Sequence, residues 1–162
     1  IGVEISDGKS DIMYVTKKGM SICFNGRQVN PMGRTTIGVR AIQLKSNDKV
    51  VFAKEVDDEG ELTVITDRGF AKRTLLADYE RQGRGGIGFK TITFARNGSN
   101  GRSLAGAFYS KDPYSIKLIQ KDGTITELDI DSLPIEERSG KGQSVAMVVM
   151  DNEIVNVYRD YN

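Results

Sequence analysis

From Asp11 onward the chain reads as short apolar runs broken by charged, glycine-bearing steps. DIMYVT, 11–16, alternates apolar and polar positions; KKG follows, and MSICF resumes the alternation. That pattern predicts two β-strands joined by a tight hairpin, with Gly19 supplying the positive φ of the turn. The same order returns in ELTVITDRGFAKRT from Glu61 and in SIKLIQKDGTITEL from Ser115. The hairpin glycines Gly19, Gly69 and Gly123 recur with a period of roughly 50 residues.

A second landmark follows each hairpin: GRTTIGV (33–39), GRGGIGF (83–89) and RSGKGQS (138–144). Its last glycines, Gly38, Gly88 and Gly142, keep the same two intervals as the hairpin glycines. Two landmarks that keep one period define a true repeat. Two further extended runs close each unit: RAIQL and KVVFAKEV, FKTITF and LAGAFYS, SVAMVVM and EIVNVYR. Each repeat is therefore expected to hold about four strands, and LLADYERQ one short helical turn at most. The predicted fold is all-β, with three propeller-type blades over 11–60, 61–114 and 115–162. GVEIS, within residues 1–10, is read as a strand from, or completing, a neighbouring blade.

Composition narrows the function more than the fold. The 162 residues suit one domain or a few small units, and no run of eighteen apolar residues exists to span a membrane. IGVEISDGKS has neither the basic nor the apolar part of a signal peptide, and the missing initial methionine points to a processed or excised piece. A single cysteine, Cys23, allows no internal disulfide and fits a reducing, cytoplasmic setting. There is no histidine, so serine triads, Cys/His pairs and the common zinc sites are excluded. A stand-alone enzyme is the weakest reading.

RQGRGGIGF, 81–89, poses the central question of what so many glycines and arginines do together. A dinucleotide fingerprint needs a following helix, and FKTITF is strand-like; a Walker loop needs Gly-Lys-Ser/Thr, which is absent. Glycines at one place in every repeat mark a backbone that turns tightly or approaches a neighbour. They do not explain Arg34, Arg84 and Arg138, which stand at one offset ahead of the last glycine. Repeated by blade geometry, these arginines would form a row of cations suited to a phosphate backbone.

QGRGGIG, 82–88, resembles the gyrase A box, Q-R-R-G-G-K-G, with Gly83 and Ile87 in place of two basic residues. PMGRTTIGVRAIQL, 31–44, and the YVTKKGMSICF and ITDRGFAKRT hairpins resemble repeats of the same family. The family is the C-terminal domain of the A subunit in the bacterial type IIA topoisomerases, DNA gyrase and topoisomerase IV. The degenerate box and RSGKGQSV leave both subfamilies open. The resemblance implies a β-pinwheel, propeller-like but with strands exchanged between blades, usually of five or six blades, around whose basic rim DNA wraps; with three repeats, this chain is expected to be part of such a larger wheel, or an unusually short member, rather than a closed disc. It further implies that the cleaving tyrosine lies in another domain of the parent enzyme, which uses ATP and Mg²⁺ with its ATPase B subunit. No cofactor is expected in this chain.

Charge split by repeat supports a basic rim. Residues 11–60 carry eight basic and six acidic groups, 61–114 carry nine and five, and 115–162 carry five and nine. The second repeat is the expected electrostatic centre for duplex DNA. The candidate phosphate-binding set is Arg34, Arg40, Arg68, Lys72, Arg73, Arg81, Arg84, Lys90, Arg138 and Lys141, with backbone amides at Gly85 and Gly86. No recognition helix or zinc finger is evident, so readout is expected through DNA bending rather than base edges. Tyr79, Phe89, Phe94, Phe108 and Tyr109 are expected in blade cores rather than as base-stacking platforms. The competing reading is a protein-interaction propeller with an incidental basic rim; the steep salt dependence of DNA binding separates the two.

Overall fold

Each hairpin forms where the alternation places it. The computed structural model describes residues 2–161. Strands β1 (Asp11–Thr16) and β2 (Met20–Asn25) pair antiparallel, as do β4 (Glu61–Thr66) with β5 (Phe70–Leu75) and β8 (Ser115–Gln120) with β9 (Ile125–Asp129). Gly19, Gly69 and Gly123 hold φ of +83°, +75° and +89°. That is the left-handed turn that only glycine adopts without strain. In the first two hairpins a buried threonine tightens the corner: Thr16 Oγ1 accepts from the Met20 amide and Thr66 Oγ1 from the Phe70 amide, both at 3.1 Å. The inner edge of each hairpin pairs with a long return strand: β3 (Val50–Val56), β7 (Leu104–Ser110) and β11 (Ile154–Arg159).

The outer edges are completed from the next repeat. β6 (Phe89–Lys90) joins β2, giving the order β3-β1-β2-β6, and β10 (Gln143–Ser144) joins β5, giving β10-β5-β4-β7. The third sheet is β11-β8-β9. Strand exchange between neighbours, implied by the resemblance, is thus seen at both internal seams. The single short helical turn expected in LLADYERQ is a 3-10 turn, Leu76–Asp78, and it recurs as Gly26–Gln28 and Ile130–Ser132 after the second strand of each hairpin.

Two expected features are corrected. RAIQL, FKTITF and SVAMVVM are not full strands: FKTITF contributes β6, SVAMVVM only Ser144 at the end of β10, and RAIQL none. Their backbones bond singly to the neighbouring repeat instead, as Gln43 N–H to the Gly86 carbonyl at 2.8 Å and Thr93 N–H to Gly140 at 3.2 Å. GVEIS forms no strand either. Val3 and Ile5 are fully exposed, and Glu55 N–H of β3 donates to Glu4 Oε2 at 3.1 Å.

The sheets stack so that cores lie between them. Met13 and Val15 from β1 meet Leu62 and Val64 from β4, with Ile92, Leu104 and Tyr79. Ile65, on the opposite face of β4, belongs to the next core with Ile116, Leu118, Ala146 and Ile154. β4 is therefore covered on both faces, which is why its sequence is a near-continuous apolar run rather than a clean alternation. Phe94 and Tyr109 pack on the first core and Phe108 on the second, as core aromatics should.

Candidate nucleic-acid interface

The glycine-arginine segments sit at the seams, where residues 81–93 cross onto the first sheet and 135–146 onto the second. The seam bonds recur with the repeat. Gln82 N–H donates to the Cys23 carbonyl and Glu136 N–H to that of Arg73, both at 2.8 Å; Thr91 N–H and Val145 N–H donate to Gly19 and Gly69, also at 2.8 Å. Gly88 and Gly142 hold φ of +80° and +75°. A Cβ at Gly142 would lie 2.8 Å from the Ala71 carbonyl oxygen, and one at Gly88 would overlap that of Ser21. The glycines are required because two backbones meet there.

The box arginines span the same seams. Arg84 donates through Nη1 to the Arg40 carbonyl at 2.6 Å and through Nε to the Gln28 carbonyl at 3.1 Å. Arg138 donates to the Lys90 carbonyl at 2.6 Å, and its guanidinium lies 4.8 Å from the centre of the Phe89 ring. Arg40 and Lys90 occupy equivalent places, and both are exposed. Each seam thus carries a half-exposed arginine, held in direction, beside an exposed basic residue of the preceding repeat. A guanidinium that spends part of its donor fork on carbonyls keeps the remaining N–H groups for an anion.

The other predicted cations have different places. Lys72 is buried; its ammonium donates to Thr74 Oγ1 at 2.8 Å and to the carbonyls of Glu137 at 2.9 Å and Arg138 at 2.5 Å. Burial pushes its pKa down to about 8, with Glu136 opposing the shift and Arg138 adding to it. Arg73 pairs with Glu61 at 2.5 Å and donates to the Leu133 carbonyl at 3.1 Å. Arg81 is bound to Asp11 at 2.6 Å and to Asp58. Arg68 donates to the carbonyls of Val148, at 3.2 Å, and Met150. Arg73 and Arg81 thus already face carboxylates, and the donors of Lys72 are taken by a hydroxyl and two carbonyls of the chain itself. Gly85 N–H is likewise taken, donating to the Ala41 carbonyl at 2.8 Å, and the Gly86 carbonyl accepts from Gln43.

Arg34 and Lys141 are exposed. The outward set therefore comprises Arg34, Arg40, Lys90 and Lys141, with Arg84 and Arg138 half-exposed at the seams. Two partners escaped the sequence reading. Gln28 receives Arg84 twice, through its carbonyl and, at 2.7 Å, through Oε1 from the Arg84 amide. Phe89 is the ring under Arg138. Only the position of Phe89 inside the repeated segment could have signalled its role; Gln28 lies in an unremarkable turn.

Stacked antiparallel sheets that trade their outer strands, with arginines at every trade, define a propeller-like repeat domain with a basic seam surface. The DNA gyrase C-terminal domain, beta-propeller, matches residues 10–57 and 60–99. The chain belongs to that family. The DNA gyrase A subunit of Chlamydia pneumoniae is 35% identical over 85% of this chain and 16% of its own length, and that of Klebsiella oxytoca 31% over 98% and 18%. The chain thus spans less than a fifth of these relatives. In fold it is similar to a solved C-terminal domain of DNA topoisomerase IV, with TM-score 0.87 and 21% identity, covering 98% of this chain and 49% of that one. It is also similar to a DNA gyrase A C-terminal domain, with TM-score 0.77 and 23% identity, covering 93% and 50%.

Proposed function

We propose that this chain binds and bends duplex DNA for a type II topoisomerase, with little regard to sequence and without chemistry of its own. The observation that carries the reading is the pairing of a seam arginine with an exposed cation at both internal seams: Arg84 with Arg40, and Arg138 with Lys90. Cations repeated at blade spacing match a phosphate backbone that curves past successive blades. Bending a site of roughly 20 to 30 base pairs costs about 1–6 kcal/mol, so neighbouring seams must act together. In this reading cleavage and rejoining belong to the catalytic core of the parent enzyme and ATP hydrolysis to its B subunit. The chain itself uses neither cofactor nor metal, and it works in the bacterial cytoplasm on the chromosome.

The test is duplex binding as a function of salt. Replacing Arg40, Lys90 and Lys141 by Gln leaves the seam bonds in place, because only their carbonyls take part in them. This triple variant should bind more weakly, with the log–log salt slope lowered by about one for each phosphate no longer held. Replacing Lys117 and Lys121 in the acidic third repeat should change little; Lys117 already faces Asp160 at 3.5 Å. Equal losses from both sets, or binding that ignores salt, would reject the seam surface as the DNA site.

A further inference from the structure

The two internal seams differ at the tip of the glycine turn. Ile87 stands between Gly86 and Gly88; one repeat later Lys141 stands in its place. Ile87 lies in the middle repeat, with a repeat on either side, and is still 55% exposed. It joins none of the apolar cores. The backbone around it is committed: Gly85 N–H donates to the Ala41 carbonyl and the Gly86 carbonyl accepts from Gln43 N–H, both at 2.8 Å. Gly88 backs onto the Ser21 carbonyl with no room for a Cβ. A β-branched side chain is itself stiff at χ1. The turn thus carries a rigid apolar tip out into solvent. Cations stand beside it. Arg84 is tied to the carbonyls of Arg40 and Gln28 at 2.6 and 3.1 Å, and the Arg40 stem passes Gly85 with its Cδ 3.9 Å from where a Cβ would be. Arg27, next to Gln28 on its 3-10 turn, is exposed, as is its counterpart Ala77 in the middle repeat. The second seam has Ala77 and Asp78 where the first has Arg27 and Gln28.

We propose that Ile87 is a wedge: seated in the minor groove of duplex DNA, it unstacks one base step while Arg27, Arg40 and Arg84 hold the flanking phosphates. The proposal rests on the DNA-bending reading above and gives the bend a mechanism. An apolar side chain gains nothing from phosphates; the base stack and the groove sugars are the apolar surface that a duplex offers it. Aliphatic side chains backed by cations enter from the minor groove, and opening one step concentrates the bend into a kink. Lys141 cannot act this way, because an ammonium stays with phosphate and water. The first seam therefore kinks the duplex, and the second only holds it. The wedge reads how readily a step opens rather than its base edges. Flexible pyrimidine–purine steps are favoured, and no fixed sequence is required.

The test uses the whole 162-residue chain and a duplex of about 30 base pairs with one central TA step, its adenine replaced by 2-aminopurine. Binding should raise the 2-aminopurine fluorescence at least about twofold and bring labelled duplex ends closer. Ile87→Ala and Ile87→Lys should both lose the rise and the bend at unchanged circular dichroism. Ile87→Lys should also steepen the log–log salt slope by about one, since it adds a phosphate contact. Val155→Ala, at a site 54% exposed on β11, should keep both signals. A chain that binds duplex in a salt-dependent way yet leaves the fluorescence unchanged would overturn the wedge and leave the seam surface standing. So would an Ile87→Ala chain that keeps the rise, or an equal loss from Val155→Ala. A chain that binds no duplex would overturn both.

Discussion

Arg138 and Lys90, which belong to different repeats, are joined by a 2.6 Å hydrogen bond from guanidinium to carbonyl, and the same guanidinium covers the Phe89 ring. Arg138→Ala removes a charge-assisted bond and a cation–π contact together, and should cost about 2 kcal/mol of unfolding free energy. Arg138→Lys should recover only part, because an ammonium lacks the planar fork that stacks and donates at once. Arg96→Ala, at an exposed site, should stay within about 0.5 kcal/mol. Urea titration of the three variants reads the difference.

Gly88 combines a left-handed φ of +80° with a backbone contact, whereas Gly8 has a φ of +70° and open space around it. Gly8→Ala should therefore cost only the conformational strain, about 1 kcal/mol. Gly88→Ala must also push the Ser21 carbonyl away, breaking the β2–β6 pairing, and should cost at least about 2 kcal/mol more. Similar melting temperatures for the two variants would show that the seam does not need this glycine.

Lys72 makes a pH-dependent contribution whose sign can be stated. Its folded pKa, about 8, lies below the usual 10.5, so between these values the unfolded chain holds the extra proton. Stability should rise with pH across that window, and the penalty of the buried charge is fully present below about pH 8. The gain is on the order of 3 kcal/mol. Lys72→Ile, which installs the residue type found one repeat earlier at Ile22, should abolish the rise. Denaturation curves of both proteins from about pH 7 to about pH 10 isolate it. A wild-type chain with the same profile as the variant would refute the assignment.

Cys23 is buried in the first core, and burial pushes its thiol up to about 11 from 9. The folded chain should resist iodoacetamide at about pH 8 and react promptly in denaturant. Here the linkage runs the other way: the unfolded thiol loses its proton first, so stability falls as pH rises from about 9 to 11. Cys23→Ala should remove that fall while costing about 1–2 kcal/mol in packing. Thiol counting and alkaline denaturation together check both statements.

The hairpins, the period and the glycines were legible because each is a local signal: alternation, a turn residue, a fixed spacing. The burial of Lys72 was not. The KRT of the second hairpin looks like surface, and only the crossing of Glu137 and Arg138, far along the chain, turns the ammonium into a seam bond. The ion pair of Arg81 was hidden for the same reason, since its partner Asp11 lies a whole repeat and more before it. FKTITF and its counterparts have strand-like composition yet pair in pieces with another repeat, and tertiary partners override propensity there. Arg84 and Arg138, by contrast, stand at one offset in the repeat, and that spacing alone announced their equivalent places at the two seams.

Because β6 closes the sheet begun at Asp11 and β10 closes the one begun at Glu61, each sheet is finished by chain that the ribosome makes later. The first hairpin emerges with its outer edge open, and it stays so until Phe89 and Lys90 leave the exit tunnel. The second waits in turn for Gln143 and Ser144. Folding thus lags synthesis by about one repeat throughout, and an open β2 or β5 edge is the state that a chaperone, or another nascent chain, would meet.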